Sequence, residues 1–208
     1  MTREEREAMV ELIRKRGVRD QNVLDALASV SRTAFVPESR EDRAYGDYAL
    51  PIGHQQTISQ PYIVALMTEA LEVTPGDRVL EVGTGSGYQA AVLAEMGAEV
   101  YTIERIPELQ EEAERRLKGQ GYDVHCKLSD GYGGWPEHAP YDGIIVTAAA
   151  PEVPQPLIDQ LADGGRMVIP VGRVHSYQTL WKLIKEDGKI RRVNLGGVAF
   201  VPFISHEM

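Results

Sequence analysis

The sequence is poor in cysteine, in positive charge and in long apolar runs, and each shortage removes a class of protein. Cys126 is the one thiol in 208 residues. It cannot close an internal disulfide or build a zinc site with cysteine neighbours, so nothing here calls for an oxidising compartment. Lys and Arg number 22 against 31 Asp and Glu, a net charge of −9. Capture of nucleic acid through its phosphates needs a basic footprint, and the overall balance argues against one. The longest apolar stretches, such as Ile144 to Ala150, fall far short of the roughly 20 residues that span a bilayer. The N-terminal Met1-Thr-Arg-Glu-Glu-Arg-Glu lacks the apolar core of a secretory signal. A soluble, cytoplasmic protein is expected, with no nucleic acid and no membrane among its partners. The 43% hydrophobic and 25% charged residues are globular proportions, and the length suits one domain.

Hydrophobic spacing divides the chain into two styles. Thr2 and Glu5 stand at capping-box distance, and Met9, Leu12 and Ile13 follow at helical offsets until Gly17. Asp20 opens a second helix with Val23, Leu24, Leu27 and Val30 on one face. From Ser31 to Gln60 the periodicity disappears, so this stretch is expected to lack regular structure, as functional loops do. Pro61 suits a first helical position, with Ile63, Val64, Leu66, Met67, Ala70 and Leu71 behind it. After Thr74-Pro75-Gly76-Asp77, strands and helices alternate. Strands are expected at Arg78–Val82, Val100–Ile103, Tyr122–Leu128, Tyr141–Val146 and Arg166–Val171, and helices at Tyr88–Met96, Pro107–Leu117 and Pro156–Leu161. Such alternation predicts a mostly parallel sheet covered on both faces. Asp187-Gly188 between Thr179–Glu186 and Ile190–Leu195 signals a hairpin, and Val198–Phe203 reads as a further strand. The expected architecture is α/β: a doubly wound, Rossmann-like sheet with antiparallel C-terminal strands and an N-terminal helical extension. Residues 1–72 would form the helices and a substrate loop, and residues 73–208 the core.

The sharpest local signal is Val79-Leu-Glu-Val-Gly-Thr-Gly-Ser-Gly-Tyr88. Its glycines let the backbone turn tightly after a strand and let a ligand approach where a Cβ would stand. The spacing is G-x-G-x-G, whereas the dinucleotide fingerprint is G-x-G-x-x-G. Glu81 would repel a pyrophosphate and suits a cationic ligand, so a nicotinamide oxidoreductase is disfavoured. A ligand-free glycine turn is the alternative. Glu104 ends the next strand, where a carboxylate can accept both ribose hydroxyls of a nucleoside lying across the switch point of the sheet; a solvated carboxylate at a helix start is the rival. Asp130 could accept from an adenine amine, and Asp130-Gly131 is equally a plain turn.

These features resemble the S-adenosylmethionine-dependent methyltransferases with a Rossmann-like sheet. Read together, Leu50-Pro-Ile-Gly53, Gln56-Thr-Ile-Ser-Gln-Pro61, Val79 to Tyr88, Gly133-Gly-Trp135, Thr147-Ala-Ala-Ala-Pro151 and Gly164-Gly-Arg166 resemble one family within it, the protein-L-isoaspartate O-methyltransferases. The Thr-Ile-Ser-Gln-Pro and Thr-Ala-Ala-Ala-Pro segments carry that narrower likeness. Ser129 departs from it, standing where the family commonly has glycine. The resemblance implies methyl transfer to the free α-carboxylate of L-isoaspartyl residues in damaged proteins and peptides, with S-adenosylhomocysteine as by-product and repair proceeding through a succinimide. It implies cofactor contacts from Glu81, Gly83, Thr84, Gly85, Ser86, Gly87, Glu104, Arg105, Asp130 and Gly131. Substrate contacts would come from Thr57, Ile58 and Ser59, with Ser59 against the carboxylate. A monomer without metal is expected.

A carboxylate with a reference pKa of roughly 4 is already ionised at pH 7, so methylating it needs no general base. This accords with a chain in which no Ser-His-Asp set is recognisable. Ser59 is therefore read as a binding and orienting group. Read from the sequence alone, it could as well be the N-cap of the following helix. His54, His125 and Cys126 are assigned to no site, and Trp135, Trp181, Tyr62 and Tyr88 are read as packing residues. A small-molecule or RNA methyltransferase, or a binding adaptor that keeps the pocket without turnover, are the other readings.

Overall fold

A computed structural model describes residues 3–173 and 177–205; Thr2, half of the expected capping box, lies outside them. Helix α1 (Arg3–Lys15) buries Met9 and Ile13. Helix α2 (Gln21–Ser29) starts at Asp20, whose side chain accepts from the Asn22 amide, and buries Val23, Leu24, Ala26 and Leu27. Both follow the spacing of their apolar residues.

The stretch from Ser31 to Gln60 is more ordered than its pattern suggests. It contains two 3₁₀ turns, Arg32–Phe35 and Glu38–Arg43, then a small antiparallel hairpin of β1 (Leu50–Gly53) and β2 (Gln56–Ile58). Short 3₁₀ pieces have no 3.6-residue period to detect. The hairpin turns on His54 and Gln55, both at positive φ (49° and 58°), a conformation normally announced by Asn-Gly. Helix α3 (Pro61–Leu71) follows, with proline in its first turn.

The core then runs β3 (Arg78–Val82), α4 (Tyr88–Glu95), β4 (Glu99–Glu104), α5 (Pro107–Gly119), β5 (Val124–Leu128), β6 (Tyr141–Val146), α6 (Gln155–Asp159), β7 (Leu161–Val171), β8 (Gln178–Glu186) and β9 (Lys189–Val198). The seven-stranded sheet has the order β5-β4-β3-β6-β7-β8-β9. Its first five members are parallel, and β8 is antiparallel to both neighbours. Successive strands β3, β4 and β5 step one way, and the chain then returns to place β6 on the other side of β3. The reversal leaves a crevice at the C-terminal ends of β3 and β6, where open α/β sheets bind ligands.

One apolar cluster joins Met9, Leu27 and Leu71 to Val79, Leu93, Leu117 and Val168, so α1, α2 and α3 pack into the same layer as α4 and α5. The opposite face gathers Leu80, Tyr101, Ile144, Leu157 and Ile169 under α6. Ile144, Ile145 and Val146 are fully enclosed, each contributing about 1.5–3 kcal/mol of burial.

Two expected elements differ. Strand β7 begins at Leu161, not Arg166, because Tyr141 pairs with Leu161 and Gly143 with Arg166. The residues between them bulge out opposite Asp142, so Asp163 lies within a strand. Val198–Phe203 is not a strand. Beyond β9 the chain crosses the sheet end, tied by Ala149 N–H to the Val201 carbonyl and Phe203 N–H to the Ala149 carbonyl, both 2.8 Å. An extended apolar stretch satisfies its backbone this way when no ladder is free.

Candidate active site

The glycine loop leaves β3 and leans onto β4: the amides of Gly83 and Thr84 donate to the Ile103 carbonyl at 2.9 and 3.2 Å. Gly83 has φ +102°, and a Cβ on it would sit 2.4 Å from Thr147 Oγ1. That hydroxyl donates to the Gly83 carbonyl at 2.6 Å, fastening the loop to the end of β6. Only glycine fits both constraints.

Glu104, 6% exposed, is the clasp on the other side. Its Oε2 accepts from the Gly85 amide at 2.9 Å, and its Oε1 from the amides of Arg105 and Ile106 at 2.8 and 3.0 Å. It is a buried, hydrogen-bonded carboxylate and not a solvated helix-start charge. Because a carboxylate offers about four acceptor positions, Oε2 keeps capacity for a ligand hydroxyl.

Glu81 lies beneath the loop with no solvent exposure. Thr102 donates to its Oε2 at 2.6 Å. Since the Thr102 hydroxyl gives its proton there, it must accept from Thr84, 2.6 Å away. Oε1 of Glu81 has no partner among the described residues. Burial, with a smaller push from Glu104, raises the Glu81 pKa to about 8. A buried acid with one idle oxygen is a seat for a cation or a donor.

The facing wall is the end of the β1–β2 hairpin and the start of α3. Ile58 is buried and Ser59 partly so. The N-cap of α3 is Gln60, whose own side chain does not cap the helix. Among the described residues the Ser59 hydroxyl makes no hydrogen bond to protein, so the capping alternative fails. Asp47 serves this helix end instead, accepting from the Tyr62 amide at 3.0 Å and from Gln60 Nε2 at 3.0 Å while pairing with Arg16.

Between the walls lies a cavity with about 860 Å³ of empty space, counting its open mouth. Gln56, Ile103, Thr147 and the crossing segment 201–204 complete its lining. A second groove of about 1340 Å³ runs outward between Tyr48, Tyr177 and the end of β9. Thr57, Ser59, Thr147 and Val201 line both.

Residues 3–208 match the family model for protein-L-isoaspartate(D-aspartate) O-methyltransferase. The protein-L-isoaspartate O-methyltransferase of Dictyoglomus turgidum is 57% identical over 198 residues, 95% of this chain and 90% of that one. Its counterpart in Methanoculleus marisnigri is 54% identical, covering 97% and 92%. The chain belongs to the protein-L-isoaspartate O-methyltransferase family. A solved protein-L-isoaspartate O-methyltransferase superposes with a TM-score of 0.87 at 30% identity over 95% of this chain, which spans 65% of that longer one. A Plasmodium falciparum protein assigned to the same enzyme, solved with S-adenosyl-L-homocysteine, gives 0.84 at 27%, covering 96% and 98%.

Within this family member, the cavity gathers Thr57, Ile58, Ser59, Glu81, Gly83, Thr84, Gly85, Ser86, Glu104, Arg105 and Gly131. Two expected residues stand apart. Gly87 begins α4, and a Cβ there would press on Leu117 at 3.3 Å, so its smallness serves the packing of α4 on α5. Asp130 accepts from the Tyr132 amide of its own loop at 3.0 Å and from the Ser205 hydroxyl of the C-terminal segment at 2.9 Å. Ser129 is not among the residues at positive φ, so its place demands no glycine.

Thr147, Tyr88 and the 201–204 segment escaped the reading of the site. Thr147 stood in a quoted motif without a role. Tyr88 packs as expected, edge-on to Phe35 at 5.8 Å, and it also lines the cavity. The crossing segment has no motif at all.

Proposed function

We propose that this protein transfers a methyl group from S-adenosylmethionine to the free α-carboxylate of L-isoaspartyl residues, forming a methyl ester that closes to a succinimide and so starts repair. The observation that carries this reading is Ser59, whose unengaged hydroxyl stands where the inner cavity meets the outer groove. One compartment suits a bound small molecule and the other an extended peptide. S-adenosylmethionine fits the inner one: Glu81 offers an unpaired acidic oxygen to a cationic group, and Gly83 and Gly85 clear the approach. Gly83, Thr84, Gly85, Ser86, Glu104, Arg105 and Gly131, which line that cavity, would hold the rest. When bound, this cofactor supplies an electrophilic methyl on sulfonium.

The chain's own work is placement. Ser59 donates to the acceptor carboxylate and fixes which oxygen faces inward. Ile58 and Phe203 replace water with apolar surface. Thr57 shapes the groove beside the carboxylate. Positioning and removal of water account together for several kcal/mol of barrier lowering in such reactions, without a proton-transfer residue.

Residues 1–72, joined by the chain crossing at 201–204, supply the acceptor wall, and the rest of 73–208 the donor wall of one domain. The chain is proposed to act as a cytoplasmic monomer on proteins and peptides and not on nucleic acid, a reading supported by its acidity. Among the described residues no helix is long and apolar enough to cross a membrane. Incubation with labelled S-adenosylmethionine and matched peptides tests the proposal: a base-labile methyl ester should form on the isoaspartyl peptide and not on the aspartyl one. Equal labelling of both, or of neither, would reject it.

A further inference from the structure

Arg32 is the largest side chain wholly enclosed in the protein. Its guanidinium has no ion-pair partner among the described residues. Nε donates to the Ala44 carbonyl at 2.8 Å and Nη2 to the Ser59 carbonyl at 2.7 Å. Nη1 has no hydrogen-bond partner among the described residues, and the group lies 4.8 Å from the centre of the Tyr88 ring. Burial pulls its pKa down to about 10, which leaves it charged at neutral pH. A desolvated cation spent on two backbone carbonyls and a ring is a costly arrangement wherever a neutral side chain would pack as well.

Those carbonyls mark the two ends of one loop. Ala44 opens the segment that carries the β1–β2 hairpin and Ser59 closes it, so a single planar fork ties both ends. It also sets a direction. The Ser59–Gln60 peptide is trans and planar, so a carbonyl aimed at Arg32 turns the Gln60 N–H the opposite way. A charged donor on the carbonyl polarises that peptide and strengthens its N–H as a donor. Ser59 and Gln60 both line the outer groove; Arg32 lines neither cavity.

We propose that Arg32 is a positioning residue for methyl transfer: from behind the loop it orients and polarises the Ser59–Gln60 peptide against which the isoaspartyl carboxylate is held. The proposal rests on the acceptor-site reading above and adds to it a buried cation that never touches substrate. Its hydrogen bonds go to the acceptor half, while the glycine loop is fastened by Glu104 and Thr147; toward the inner cavity it meets the Tyr88 ring.

The test compares Arg32→Lys, which keeps the charge but cannot span both carbonyls, with Arg32→Met, in single form and combined with Ser59→Ala. Peptide KM and kcat, S-adenosylmethionine affinity by calorimetry, and melting are measured on the same samples. Arg32→Lys should lower kcat/KM for an isoaspartyl peptide about tenfold or more, chiefly through KM, with cofactor affinity within about twofold of the parent. Adding Ser59→Ala should cost less than the product of the two single losses, since the residues act through one peptide. Arg32→Met should lose more than Arg32→Lys; where it fails to fold, the lysine variant and the cycle decide. Normal kcat/KM in Arg32→Lys beside a damaged Ser59→Ala would overturn the arginine's role alone. Losses that multiply, or that follow cofactor affinity and melting only, would do the same. Full activity in Ser59→Ala would overturn the acceptor-site reading and this proposal with it.

Discussion

The two walls of the cavity are built on opposite plans. The donor wall is almost contiguous: Glu81 to Gly87 with Glu104 one strand away, each at the C-terminal end of a parallel strand whose register is set by the sheet. The acceptor wall is assembled from a 3₁₀ turn, a four-residue strand paired with a three-residue one, a helix start and a chain crossing. Its order depends on polar ties made by Arg32, Asp47 and Gln60 across 13 to 27 residues of sequence. A common small molecule can be met by a standard loop on a rigid strand. A damaged site in many different proteins needs a surface with a groove, which no single element provides. Damage to the first wall should therefore abolish cofactor binding, and damage to the second should spare it.

The largest effect is expected at Gly85. Its φ of +51° lies in the left-handed region, which β-branched residues strongly resist, and its amide ties the glycine loop to Glu104. Gly85→Val should lose S-adenosylmethionine binding by more than about a hundredfold while the sheet still melts cooperatively. Near-normal affinity in the folded variant would remove the loop from the site.

Next comes Ser59→Ala on the other wall. A lost hydrogen bond to an anion is worth roughly 1.5–3 kcal/mol, or about ten- to hundredfold in kcat/KM. Cofactor affinity should be unchanged, and so should the melting temperature, because this hydroxyl caps nothing. A fall in stability of ~1 kcal/mol with normal turnover would instead restore the helix-cap role.

The smallest effect is graded with pH. With a pKa near 8 in the ligand-free protein, Glu81 is mostly protonated at pH 7, and a cationic ligand favours its ionised form. Affinity for S-adenosylmethionine should rise by up to about tenfold per unit toward pH 8 and then level. Glu81→Gln should remove this component, and it also serves as the control for the ligand's own amine. Stability of the free protein runs the other way: a raised acid pKa stabilises fully below the unfolded value of roughly 4.3, and that contribution fades as pH climbs through about 8. An identical pH slope in the Gln variant would show that Glu81 does not face the cation.

Much of this was legible in the residues themselves. Helices α1 to α5 and the parallel strands follow from apolar spacing, Pro61 and Pro107 at helix starts, and the G-x-G-x-G turn, all of which act over a few neighbouring residues. The placing of Glu81 and Glu104 near neighbouring strand ends was legible too, since successive parallel strands put their ends side by side. The β1–β2 hairpin was hidden because His54 and Gln55 do the work of Asn-Gly. The early start of β7 was hidden because its bulge answers to β6 and not to its own residues.

What only the tertiary structure decided is where long-range partners meet. An arginine within a 3₁₀ turn carries no sign that its fork will close on Ala44 and Ser59, 12 and 27 residues on. Nothing around Val201 announces that it will bond to Ala149 and line both cavities. Backbone preferences and hydrophobic period are local properties, so sequence determined the sheet and its glycine loop. The acceptor wall depends on desolvated polar groups finding partners across the fold, and those partners exist only once the chain has closed around them.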